Sequence, residues 1–144
     1  MTLHELLDHS YGHDGDKTLR QRLGEGADPN LRDDGETLLH VAARRRRDSA
    51  VAILLEHGAD VDAGAPLDIF DSIHGSSPIG WAVHGARYSG AAEQRQEAYL
   101  ELVRMLLDAG SSLHYPGQPD DDAYLRRLRK DATPKIQELL PARI

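Results

Sequence analysis

Eight histidines and a run of four arginines, Arg44 to Arg47, are the residues whose types first suggest chemistry. Histidine is the commonest metal ligand and the usual proton carrier near neutral pH. The best-spaced pair, His4 and His9 in HELLDH, is separated by five positions. A His-Glu-x-x-His zinc site needs positions i and i+4 on one helical face, so the pair fails as a motif. Cysteine is absent, which removes thiolate metal sites, disulfides and cysteine nucleophiles. The Asp/Gly stretches at residues 12–16 and 33–35 read as turns, because they lack the alternating oxygen ligands of a calcium loop. No phosphate-cradling Gly-x-x-x-x-Gly-Lys, Gly-x-Ser-x-Gly elbow or dinucleotide fingerprint occurs. Neither a metal nor a cofactor is expected.

Bulk properties narrow the partners. The chain has 144 residues, enough for one domain with a moderate core. With 24 Asp and Glu against 17 Lys and Arg, its net charge is −7. That sign argues against general binding to nucleic acid or anionic membranes, which need a surplus of cations on some face. No apolar run approaches the ~20 residues of a membrane span. The opening MTLHELLDHS lacks the basic region and apolar core of a signal peptide, so a cytoplasmic location is expected. Lysine occurs only at 17, 130 and 135, and this arginine bias reads as the footprint of a GC-rich, bacterial genome. One Phe and one Trp leave Leu, Val, Ile and Ala to fill the core.

The elements that position these residues show in a period. LRQRLGEGADPN from Leu19, VAILLEHGADVDA from Val51 and VRMLLDAGSSLHY from Val103 each carry apolar residues at helical spacing and close on a glycine. Those glycines, Gly26, Gly58 and Gly110, sit where a left-handed residue ends a helix without steric cost. Their spacings are 32 and 52 residues, and a period near 33 marks stacked helix–turn–helix units. A shorter helix precedes two of them. In GETLLHVAA, Thr37 is placed as an N-cap, and in GSSPIGWAV Ser77 caps with Pro78 at the first helical position. Ala42, Ala43 and Ala82 let paired helices approach closely. Such units bury their apolar faces only when stacked.

Residues 34–63, DGETLLHVAARRRRDSAVAILLEHGADVDA, resemble a nearly complete ankyrin repeat. The turn, the Thr-x-Leu-His start, the paired alanines and the Gly-Ala-Asp close all match. HGSSPIGWAVHG through LVRMLLDAGSSLHY resembles the same repeat, with Gly80 where the family has histidine. The resemblance implies an all-α solenoid of stacked helix–turn–helix units with turn or hairpin fingers, forming a single domain over residues 1–144. Four units are expected, near 2–32, 33–65, 74–115 and 120–141, the outer two degenerate. Insertions fall near 64–73 and 86–97. At His40 the resemblance implies hydrogen bonds to the backbone of neighbouring turns.

In that register Arg44 and Arg45 end the first helix of the second unit, and Arg46 and Arg47 fill an exposed turn. The cluster reads as a solvated turn or, at Arg44 and Arg45, as partner-facing. A second basic cluster, Arg126, Arg127, Arg129 and Lys130, follows three aspartates and complements a helix dipole. His74 and His84 fall at a hairpin and a helix end beside Arg44, with Asp68, Asp71 and Tyr88 near in sequence. Trp81 reads as a core residue. The finger GAPLDIFDSIHG runs about seven residues longer than the family turn and carries Ile69, Phe70 and Ile73. Those apolar groups either fold back or form a contact surface.

Two functions stay open. The first is a protein-interaction module binding through its concave face and extended finger, with Asp33, Asp34, Glu36, Arg44, Arg45, Ile69, Phe70, Ile73, His74 and His84 as partner-binding residues. The second is a small enzyme or small-molecule binder, whose pocket would use Asp71, His74, Trp81, His84 and Tyr88 under the two insertions. The expected partner is another protein, or a small molecule under the second function, and the chain is expected to be a monomer or weak dimer.

Overall fold

The computed structural model describes residues 1–64, 77–88, 93–115 and 120–142. Helices come in pairs. α1 (Leu3–His9) precedes α2 (Gly15–Gly24), α3 (Leu38–Arg44) precedes α4 (Asp48–Glu56), α5 (Pro78–Tyr88) precedes α6 (Glu93–Asp108), and α7 (Ala123–Asp131) precedes α8 (Pro134–Leu139). Within the stack α1, α3, α5 and α7 pack in one row, and α2, α4, α6 and α8 in a second. The architecture is an all-α solenoid of stacked helix–turn–helix pairs, as the resemblance implied.

Local chemistry explains the punctuation. Gly26, Gly58 and Gly110 have φ of 103°, 90° and 92°, and behind each an amide reaches back to the helix it closes. Ala27, Ala59 and Ser111 donate to the carbonyls of Arg22, Leu54 and Leu106 at 3.0, 2.9 and 3.0 Å. The one finger described is a two-stranded antiparallel hairpin, β1 (Arg32–Asp33) and β2 (Glu36–Thr37). Asp34 and Gly35, with φ of 51° and 82°, supply the two left-handed residues of a tight hairpin turn. Thr37 then caps α3. Its hydroxyl accepts the His40 amide at 3.3 Å and lies 2.7 Å from His40 Nδ1. His40 is fully buried, a structural role in keeping with its place in the repeat.

Neighbouring pairs are stitched by side chains as well as packing. Asn30 Oδ1 accepts the Asp60 amide at 2.7 Å, and Asp62 Oδ1 accepts the Ser112 amide at 2.6 Å. Tyr11 donates its hydroxyl to Asp16, which also accepts from Ser49 at 2.7 Å. The core is aliphatic: Leu7, Leu19, Leu39, Leu54, Ile79, Leu106, Leu125 and Ile136 are essentially inaccessible. Ala42, Ala43, Ala50, Ala82 and Ala86 are wholly buried, which lets helix backbones close on one another.

The arginine turn corrects one expectation. Arg46 is exposed, but Arg47 is half-buried: its Nε donates to the Leu7 carbonyl at 3.1 Å and its guanidinium lies 5.6 Å from the Tyr11 ring centroid. Spacing places a residue in a turn but says nothing of what the preceding repeat offers it. Arg46 holds φ at 55°, in a helix-closing bend where glycine is favoured. Arg46→Gly relieves left-handed strain of about 1–2 kcal/mol and restores unfolded-state entropy that opposes it by about 0.5–1 kcal/mol. A net gain of about 0.5 kcal/mol is expected. Arg47→Ser should instead cost about 1 kcal/mol, through one lost hydrogen bond and its ring contact. Urea unfolding of both variants checks the contrast, and equal stabilities would refute it.

Candidate functional site: an acidic groove beside the hairpin

The hairpin stands against the first row of helices, and the angle between them forms a groove of about 300 Å³. Three elements line it. α1 supplies His4, Glu5, Asp8 and His9, the hairpin supplies Asp33, Asp34 and Glu36, and α3 supplies Val41 and Arg44. Each element is anchored separately. Thr2 Oγ1 caps α1 by accepting the Glu5 amide at 3.1 Å, Arg32 bonds the carbonyls of Gly35 and Gly64, and the Thr37–His40 capping box starts α3. His4 is buried and joins the two walls, with Nε2 at 2.9 Å from the Glu36 carbonyl.

Electrostatics set the character of the site. Five carboxylates line the groove, with Arg44 as its one lining arginine. Arg44 lies between the walls, 3.5 Å from both Asp8 Oδ1 and Glu36 Oε2. Charge-assisted hydrogen bonds are usually near 2.8 Å, so this bridge is loose. Arg45 is held more firmly, donating from Nε to Asp8 Oδ1 at 2.6 Å. Burial alone would raise the Asp8 pKa, but the Arg45 hydrogen bond and the fields of Arg44, Arg45 and His9 outweigh it. Asp8 is thereby held below the usual carboxylate range. On its other side Arg44 lies over Trp81, 5.6 Å from the ring centroid. Trp81 is buried and meets His40 edge-on, with centroids 5.4 Å apart. Arg44 Nε and Trp81 Nε1 are both buried without a hydrogen-bond partner.

The groove gathers Asp33, Asp34, Glu36 and Arg44 from the residues predicted to meet a partner, and Arg45 reaches it through Asp8. His84 does not line it; its Nδ1 lies 3.3 Å from Asp131 Oδ2, across to α7. Ile69, Phe70, Asp71, Ile73 and His74 lie outside the described residues, as does the Tyr88 side chain. Sequence reasoning missed the whole α1 wall. The first repeat matched mainly through its second helix, so nothing in the spacing set Asp8 opposite Arg44. Among the described residues, no three His, Asp or Glu side chains are placed to hold a metal ion, and no helix is long and apolar enough to cross a membrane.

The family comparison agrees with the stacking. A family model described as ankyrin repeats (3 copies) matches residues 6–117. The α7–α8 pair lies beyond that match and packs on α5 and α6. Ankyrin repeats are in general protein–protein interaction modules. A match over more than half of the length, on stacked helix pairs closed by left-handed glycines, means that this chain belongs to the ankyrin-repeat family.

Proposed function

We propose that the chain holds a partner protein on its concave side, in the groove between the hairpin and α1 and α3. The observation that carries this reading is the convergence of three separately anchored elements on one groove of about 300 Å³. A surface fixed before binding loses little ordering entropy when a partner arrives. Exposed carboxylates at the hairpin tip make the first encounter sensitive to charge and salt. The extended finger near residues 64–73, read from the sequence alone, is proposed to contact the partner as well.

The test is paired capture. Asp33→Asn together with Asp34→Asn keeps side-chain shape and tolerates the left-handed turn, while removing two charges from the wall. Partner capture from lysate should fall at least tenfold, with the melting temperature within about 2 °C of the parent, as exposed substitutions usually allow. Undiminished capture by the folded variant would remove this groove from the interface.

A further inference from the structure

The seam between α4 and α6 contains a carboxylate that the proposed interaction does not use. Asp48 is the first residue of α4, and its Oδ1 is buried with no hydrogen-bond partner. An ionised oxygen in that position has given up water without a replacement donor. The charges that act on it are Arg46 in the preceding turn and Glu101 on α6, and its own charge acts in turn on the Tyr99 hydroxyl of α6. Glu101 is exposed and lies 3.5 Å from Arg104. Tyr99 is buried and donates its hydroxyl to the Arg44 carbonyl at 3.1 Å. The same seam therefore holds the backbone of the arginine that enters the acidic groove.

We propose that Asp48 is a proton-sensitive latch between the second and third helix pairs: the α4–α6 seam tightens when its carboxyl is protonated and loosens when it is ionised. Two influences favour the ionised form, the positive N-terminal end of α4 and the Arg46 guanidinium. Two oppose it, burial of the carboxyl and the like charge of Glu101. Burial is the largest, and the Asp48 pKa is raised above its ordinary value. For a group with a raised folded-state pKa, the stabilising contribution is full below the unfolded pKa and is lost as pH rises through the folded pKa. The seam is thus weakest at neutral pH and firms on acidification. Asp8, with its lowered pKa, works in the opposite sense, so the latch is read as a difference between variants rather than from the parent alone.

The experiment compares thermal unfolding of the parent, Asp48→Asn and Glu101→Gln between pH 4.5 and 7.5, with carboxyl carbon NMR titration of the parent. Asp48→Asn mimics the protonated form, so it should melt about 3 °C above the parent at pH 7.5. The gap between the two melting curves should narrow as the pH falls. In the parent, the Asp48 carboxyl should titrate above 3.8, and Glu101→Gln should move that midpoint down. The proposal is overturned if Asp48→Asn melts at or below the parent at pH 7.5, if the gap does not change with pH, or if Asp48 titrates at or below 3.8. The parent titration decides the matter even if the variant fails to fold, and none of these readings depends on a partner.

Discussion

Leu54→Asp should abolish cooperative unfolding and most of the helical circular dichroism. Leu54 is completely buried on α4, and α4 packs on α2, α3 and α6. An aspartate there must either bury a charge or shift its pKa and bury an unpaired hydroxyl, and each is costly. The loss of packed volume adds to this, for a total above about 4 kcal/mol. In a stacked solenoid each unit is stabilised mainly by its neighbours. Failure of the second pair therefore separates the first from the last two, and the damage spreads beyond one helix. Leu31→Asp is the control, since Leu31 is 44% exposed and its replacement should change stability by less than about 0.5 kcal/mol. A Leu54→Asp protein with a sharp transition near the parent temperature would contradict the stacked-core account.

Backbone punctuation was the most legible part of the fold. Gly26, Gly58 and Gly110 announce helix ends because φ near 90–103° excludes most side chains, a constraint that acts locally. The Thr37–His40 cap is local for the same reason, and it fixes the start of α3. Contacts made across repeats were not legible. Arg44 to Arg47 look alike in sequence yet separate into four environments: a loose bridge over Trp81, a firm bond to Asp8, a strained exposed bend and a tether to Leu7. Most of those differences come from the neighbouring elements: α1 offers Asp8 and Leu7, and α5 offers Trp81. The hairpin wall could be anticipated because Asp33, Asp34 and Glu36 lie within one repeat. The α1 wall could not, since His4 and Asp8 acquire meaning only when α1 stacks on α3.

Trp81→Ala should destabilise the protein by about 3–5 kcal/mol. The ring is 4% exposed and lies between the His40 edge and the Arg44 guanidinium, so its loss leaves a cavity and removes two specific contacts at once. Trp81→Phe should be far milder, at about 1.5 kcal/mol or less. Phenylalanine keeps an aromatic face for Arg44 and has no counterpart to Nε1, a buried donor without an acceptor. Burying such a donor costs about 1–3 kcal/mol, which offsets part of the lost volume. A ligand platform predicts the reverse pattern: unchanged melting in both variants, with binding lost in alanine alone. Guanidinium unfolding followed by circular dichroism separates these cases, because replacing the sole tryptophan removes the usual fluorescence signal. Partner capture measured well below both transitions then isolates the effect on Arg44. Capture should weaken with alanine and survive with phenylalanine, because phenylalanine keeps a ring against that guanidinium while alanine leaves it only the two loose carboxylate contacts.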